Sequence, residues 1–351
     1  MKKKIAVIGY GGQGSWHCRQ LQNSDVAELA GVYDIDFLRR KAASEEDIHV
    51  FDSFESMIND NEVDAVVVAT PNDCHKELVI RSLEAGKHVI CEKPVDVSAS
   101  NFHEMCEVAK DNRRILTVHQ NRRWDVDFLA MKKLSESKEI GKIMRLESRI
   151  HGSRGIPSDW RQKKAYGGGM MLDWGVHLID QVLQIFKDDR IIKVFCDLTH
   201  ITGKEVDDGF RLSLYFQSGT TAYVEVGTYN FLALPRFYMQ CEKGCAIITN
   251  WTENAHVAKM KAWNEKEVLP VQNASGITKT MSPRDSLTID EYDVDKPESD
   301  VHDFYRNFCA AMDGKEELLV THEEVMRVLK VMELAFESSK TGQTICYTER
   351  K

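Results

Sequence analysis

Lys4-Ile5-Ala6-Val7-Ile8-Gly9-Tyr10-Gly11-Gly12-Gln13-Gly14 is the stretch on which the reading of the fold turns. A short apolar run ends on the pattern G-x-G-x-x-G, and a helix-like segment from Gly12 to Asn23 follows. In that context Gly9 permits a tight turn, Gly11 lets the backbone approach a pyrophosphate, and Gly14 lets the helix pack on the strand. Phosphates would rest on the helix N-terminus, where free N–H groups and the positive end of the dipole converge. A second strand, Val26 to Tyr33, ends at Asp34, twenty residues beyond Gly14. A carboxylate there accepts hydrogen bonds from an adenosine ribose and repels a 2′-phosphate, favouring NAD over NADP. Arg39 and Arg40 are nearby cations that work against this preference.

The alternation continues outward. A helix is expected over Phe37 to Glu46 and a short strand at His49-Val50-Phe51. Asp52, followed three residues later by Glu55, fits a capped helix start. Strands at Val63–Thr70, His88–Cys91 and Ile115–His119 are separated by helices at His75–Ala85, stopped by Gly86, and Ser98–Asp111. Strands alternating with helices imply a doubly wound parallel sheet, a Rossmann arrangement over residues 1–122.

After Asn121 the pattern changes. A helix at Val126–Ser135 and a strand at Ile143–Ile150 precede a Gly-, Ser- and Pro-rich loop over 152–168 and an amphipathic helix from Met170 to Phe186. Alternating segments follow at Ile191–Ile201, Phe210–Phe216, Thr221–Tyr229, Phe237–Cys241 and Ala246–Thr249, punctuated by Ser218-Gly219 and Lys243-Gly244. Consecutive strands with tight turns argue for a mostly antiparallel sheet in an α+β domain over 123–351. Residues 264–298 read as loop with a strand or two, and helices at 299–313 and 322–340 close the chain, the last with a capping box from Thr321 to Glu324.

The chain has 351 residues, a length that suits two domains. Lys and Arg number 46 against 55 Asp and Glu, a formal charge of −9 that disfavours nucleic acid and anionic membranes as partners. The longest apolar runs, such as Ala65 to Ala69, fall far short of a bilayer span, and the apolar stretch after Lys2-Lys3-Lys4 is too short for a signal-peptide core. The expected location is cytoplasmic. The nine cysteines carry no CxxC and read as free thiols, and no metal site is expected.

Two further stretches carry chemistry. Cys91-Glu92-Lys93-Pro94 ends a parallel strand, and strand carboxyl ends form the ligand crevice of open α/β sheets. Gly167-Gly168-Gly169 leads into a helix on which Asp173, His177 and Asp180 stand at i, i+4 and i+7, a spacing that places all three on one face. An Asp one turn before a His can accept its N–H and stabilise the imidazolium, and a His titrates close enough to neutrality to take a proton from an alcohol.

Taken in order, Gly9-x-Gly11-x-x-Gly14, Ala69-Thr70-Pro71-Asn72, Glu84-Ala85-Gly86-Lys87-His88-Val89, Glu92-Lys93-Pro94, Asn121-Arg122-Arg123-Trp124 and Asp173-x-Gly175-x-His177-x-x-Asp180 resemble the Gfo/Idh/MocA family of sugar and cyclitol dehydrogenases over nearly the whole chain. The resemblance implies the following roles. His177 is the general base in oxidation, Lys93 lies beside the reacting hydroxyl, and Asp173 positions His177 or contacts substrate. Gly9, Gly11, Gly12, Gln13 and Gly14 cradle the pyrophosphate of NAD, with Asp34 on the ribose. Thr70, Pro71, Asn72, His75, Glu92 and Lys93 line the path towards the nicotinamide. Arg154, Trp160, Arg161 and Tyr166, in the substrate loop, offer a flat apolar face and donors to a sugar. Arg123 and Trp124 border the pocket or anchor the domain junction. The resemblance also implies that the C-terminal sheet is open-faced and forms the interface of a homodimer or homotetramer. The activity it implies is oxidation or reduction of a secondary ring hydroxyl. A glycoside 3-oxidising or glycosidase-type cycle is the alternative, and a non-catalytic NAD-sensing regulator a more distant one.

Overall fold

In the computed structural model, which describes residues 1–261, 270–284 and 286–348, five parallel strands form the first sheet. They are β1 (Lys3–Ile8), β2 (Ala27–Tyr33), β3 (Ala65–Val68), β4 (His88–Cys91) and β5 (Leu116–Val118), in the order β2-β1-β3-β4-β5. Between them run α1 (Gly12–Gln22), α2 (Phe37–Glu45), α3 (Phe54–Ile58), α4 (His75–Glu84) and α5 (Ala99–Asp111). The strand order reverses between β1 and β3, so the crevice of this sheet opens there, at the glycine turn and Thr70. β3 is Ala-Val-Val-Val with every residue buried, as a strand covered on both faces requires. Each such Val contributes about 1.5–3 kcal/mol by leaving water. Gly14 lies so close to the Gly9 carbonyl that a Cβ there would overlap it, which seats α1 directly on β1.

Three local expectations need correction here. His49-Val50-Phe51 makes only an isolated bridge, Val50 to Val32, and no strand. The cap of α3 is Ser53, not Asp52, and its reciprocal partner is Ser56 rather than Glu55. The strand expected over Val63–Thr70 contracts to Ala65–Val68, because Ala69 onward leaves the ladder to form the cleft edge.

The second sheet has nine strands in the order β15-β12-β11-β10-β6-β9-β8-β7-β16. α6 (Val126–Ser137) precedes β6 (Ile143–His151), and α7 (Val176–Ile185) precedes β7 (Ile191–Thr199), β8 (Gly209–Phe216), β9 (Thr221–Gly227), β10 (Phe237–Cys241), β11 (Gly244–Ile248) and β12 (Ala255–Met260). A small hairpin of β13 (Val271–Asn273) and β14 (Gly276–Thr278) leads to β15 (Ile289–Val294); residues 264–269 and 285 of the expected irregular segment lie outside the described residues. The chain closes with α8 (His302–Met312), α9 (His322–Thr341) and β16 (Ile345–Cys346). Among the described residues of this sheet only β6 and β9 pair in parallel, so the sheet is mostly antiparallel as expected. β12 and β16 have no counterpart among the expected strands. The capping box of α9 forms from Thr321 and Glu324.

α7 and α9 pack together, with α9 against β7, while the other face of the sheet carries Tyr215, Tyr223 and Tyr238 among Arg–Glu pairs. α8 returns to the first domain: Tyr305 reaches His17, and Arg306 pairs with Asp25. All nine cysteines are free, and among the described residues no helix is long and apolar enough to cross a membrane.

Candidate active site

A cleft of about 580 Å³ lies between the carboxyl ends of the first sheet and the start of the helix that ends in α7. The first domain contributes Gly11, Gly12 and Gln13 after β1, Thr70, Pro71 and Asn72 after β3, Glu92 and Lys93 after β4, and Asn121 and Arg122 after β5. The second domain contributes Trp160 and Arg161 from the loop and Asp173, Trp174 and His177 from the helix.

The helix expected over Met170–Phe186 does not start as an α-helix. Met171–Gly175 forms a wide π-turn, and regular α-geometry begins at Val176. Such turns alter the phase of side chains and favour functional positions. The expected single face accordingly splits. Asp180 is buried and bound by both arms of Arg123, at 2.8 and 2.6 Å. Asp173 faces Lys93, whose Nζ donates to its carbonyl at 2.9 Å and its Oδ1 at 3.4 Å, and Arg161 Nε donates to its Oδ2 at 3.2 Å. The expected Asp173–His177 hydrogen bond is therefore not formed; Lys93 and Arg161 take the carboxylate instead. The Lys93–Pro94 peptide is cis.

His177 is buried with its Nδ1 unpartnered among the described residues. Burial, reinforced by the charges of Lys93 and Arg122, holds its pKa well below the ordinary histidine value. The ring is thus a neutral base beside a cation. Glu92 is the opposite case. Burial alone would raise its pKa, but His119 and His17, at 2.7 and 2.8 Å from Oε1, hold it well below the carboxylate range. His17 is kept neutral by burial and has its other nitrogen on the Tyr305 hydroxyl at 2.7 Å. The three groups His17, Glu92 and His119 sit within metal-ligand reach of one another. Their 2.7–2.8 Å spacings are hydrogen bonds, not the wider separation of atoms that share a metal.

Several expected residues lie off the cleft. His75 is fully buried behind it, its two ring nitrogens on the carbonyls of Pro94 and Thr70 at 3.1 and 3.0 Å. Arg123 and Trp124 turn away from the cleft into the second domain: Arg123 also binds Glu324 and the Leu319 carbonyl, and Trp124 packs edge-on with Phe304. Arg154 and Tyr166 do not line the cleft, and Tyr166 stays partly exposed. Asp34 is buried outside it; its oxygens accept from the amides of Tyr10 and Asp36 at 2.7 and 2.8 Å, and Arg39 approaches at 3.5 Å. Gly9 and Gly14 shape the turn from below, and only the next glycines and Gln13 face the cleft.

Arg39, Asn121, Arg122, Asp159 and Trp174 line the cleft without having been assigned to it. Arg122 stands one residue from Arg123 in the same motif; its guanidinium lies 4.3 Å from the Trp174 ring centre. A dinucleotide fits this donor set. α1 opens on the cleft with no side-chain cap and no acidic residue in its first turn. Three buried polar atoms without partners, Thr70 Oγ1, Asn121 Oδ1 and His177 Nδ1, belong to residues that line the same space. Buried groups of this kind are rare without a ligand to satisfy them.

Comparison with known proteins agrees. Residues 3–120 match "Oxidoreductase family, NAD-binding Rossmann fold" and residues 128–247 match the "GFO/IDH/MocA C-terminal domain". The chain belongs to the Gfo/Idh/MocA oxidoreductase family. It is 43% identical to an NAD-binding protein from Listeria innocua, with 99% of each chain covered and a TM-score of 0.95. It is 27% identical to scyllo-inositol 2-dehydrogenase (NADP(+)) IolW of Bacillus subtilis, over 97% of this chain and 95% of that protein. The chain spans about half the length of several other curated relatives, among them the uncharacterized oxidoreductase YdgJ of Escherichia coli (35% identical, 52% of this chain and 53% of that protein). This Gfo/Idh/MocA chain thus joins an NAD-binding Rossmann domain to the family's C-terminal domain, with Lys93 and His177 on opposite walls of the cleft between them.

Proposed function

We propose that this chain is a nicotinamide-dependent dehydrogenase that oxidises, or in reverse forms, a secondary ring hydroxyl of a sugar, glycoside or cyclitol. The carrying observation is the meeting of a neutral, unpartnered His177 with the Lys93 ammonium in one cleft. A bound nicotinamide supplies the hydride acceptor. His177 takes the hydroxyl proton through a ring nitrogen and returns it in the reverse direction. Lys93 stabilises the alkoxide character that develops on the same oxygen. Asp173 holds Lys93 and is itself held by Arg161, which fixes the ammonium relative to His177. Trp160 and Trp174 give a sugar ring apolar faces on which to rest, and Asn121 and Arg122 give donors and an acceptor for its hydroxyls.

NAD is the preferred cofactor in this reading, because Asp34 ends β2 as a fixed carboxylate. Arg39 lessens that preference, since it reaches the cleft beside Gly11. The interspersed tyrosines of the outer sheet face support self-association through it. The test is a panel of hexoses, inositols and glycosides followed by reduced-nicotinamide absorbance, with NAD and NADP run separately and products identified by mass. Turnover of one group supports the reading. Protein that binds NAD yet turns over none of the panel refutes the substrate class.

A further inference from the structure

Asp207 lies in the loop before β8, outside the cleft and outside every motif quoted above. It is buried at 4% exposure. Its Oδ2 accepts from the Met171 amide at 2.7 Å, and its backbone carbonyl accepts from the Met170 amide at 3.1 Å. One residue therefore takes up two consecutive amides at the start of the helix that carries Asp173 and His177. Gly169, immediately before them, has φ +105, and any Cβ there would overlap Asp207 Oδ1. The backbone just upstream is tied in turn to the substrate loop and the first domain. The Gly168 and Gly169 amides donate to the carbonyls of Lys163 and Arg161 at 3.1 and 3.0 Å, and Asn72 Nδ2 donates to the Gly167 carbonyl at 3.0 Å. The loop carrying Asp207 also touches the substrate loop, where Glu205 Oε1 accepts from the Lys164 amide at 2.8 Å. Next door, Asp208 is held by Thr199 and Thr202, which pins the loop from the other side.

We propose that Asp207 is a positioning residue of this site, its carboxylate clamping the π-turn so that Asp173 and His177 face Lys93. The role in turnover rests on the dehydrogenase reading above; the clamp itself does not. Burial raises the Asp207 pKa to about 6, against the pull of the Met171 amide. Two titratable groups face it from neighbouring segments. Cys196 of β7 is kept protonated by burial, and His200 lowers the Asp207 pKa when charged. The carboxylate thus loses its charge as pH falls through about 6, and a charge-assisted bond to Met171 becomes an ordinary, weaker one.

The experiment is hydrogen exchange by mass spectrometry on the full chain, wild type against Asp207→Ala and Asp207→Asn, at pH 7.5 and 5.0 with intrinsic rates corrected. Exchange over residues 170–178 is expected to rise about tenfold or more in Asp207→Ala and less in Asp207→Asn, with β8 and β9 unchanged. Wild-type protection of that segment is expected to fall between pH 7.5 and 5.0, and that of Asp207→Asn to be the same at both. Equal protection in all three proteins overturns the clamp. So does loss spread over the whole second domain, which marks a merely structural residue. Turnover of the panel substrate separates the two readings. His177→Ala at wild-type kcat removes the dehydrogenase assignment and leaves the clamp standing. A normal His177→Ala loss beside a wild-type kcat and pH profile in Asp207→Ala removes the positioning role.

Discussion

One helix carries two acid–base pairs built to different ends. Asp180 and Arg123 share two short hydrogen bonds, with side chains 3% and 8% exposed. Glu324 and the Leu319 carbonyl take the third guanidinium nitrogen. Asp173 and Lys93 meet seven residues earlier at 3.4 Å, with 16% and 15% of their side chains open to the cleft. In the first pair both carboxylate oxygens and all three guanidinium nitrogens are engaged, and it ties the start of the second domain to α7 and to the segment around α9. The second is held loosely enough for the ammonium to meet a substrate oxygen. Burial and saturation of hydrogen bonds, not residue type or helical spacing, separate scaffold from chemistry here.

The largest expected effect lies on the chemical side. His177→Ala is expected to lower kcat by about 10²–10⁴, the range for loss of a general base. The melt should fall only modestly, because the ring is buried against Trp174 but its Nδ1 gives up no hydrogen bond. Steady-state rates beside a thermal melt check both halves, and an unchanged kcat ends the assignment.

Asp180→Ala should show the reverse. It leaves a buried guanidinium with Glu324 as its remaining counter-charge, and breaking such a pair costs about 3–5 kcal/mol of stability. Asp173→Asn keeps the shape and one acceptor oxygen, so its melt should move little while kcat falls about 10–100-fold as Lys93 loses its fixed place. Chemical denaturation and kinetics on the two variants decide the matter. If Asp173→Asn proves the less stable protein, the division drawn above is wrong.

Much of this was legible in the sequence. The glycine turn, Asp34 and the alternating elements specified the Rossmann domain because strand burial and turn chemistry are local. Lys93 and His177 were legible because each follows a structural landmark, a strand end and a glycine-led helix. The π-turn was not legible: Met171–Gly175 has the composition of an ordinary first turn, so helical spacing put Asp173 on His177 when the fold puts it on Lys93. Arg122 and Arg123 could not be told apart, since adjacent residues of a short 3₁₀ segment point to different sides. Asp207 carried no signal, because a loop aspartate whose partner is a backbone amide 36 residues away leaves no pattern.

The smallest expected effect concerns the cofactor, and it extends the same comparison to a third carboxylate. Asp34 resembles Asp180 in its burial, but its closest partners are backbone amides rather than a cation, one on each oxygen. Its charge therefore remains uncompensated except by Arg39, whose side chain is 52% exposed and 3.5 Å away. An exposed cation at that range contributes roughly 0.2–1 kcal/mol. Removing Arg39 should thus weaken NADP binding by no more than about fivefold and leave NAD nearly untouched. Asp34→Ala should weaken NAD more than NADP, because it deletes the ribose acceptor and the repulsion of a 2′-phosphate together. It should also lower stability by about 1–3 kcal/mol, because the Tyr10 and Asp36 amides lose their acceptor. Fluorescence titrations of both variants with both cofactors give the four constants. Equal losses for NAD and NADP in Asp34→Ala would mean that the carboxylate acts as Asp180 does, as scaffold, and that cofactor choice rests with Arg39.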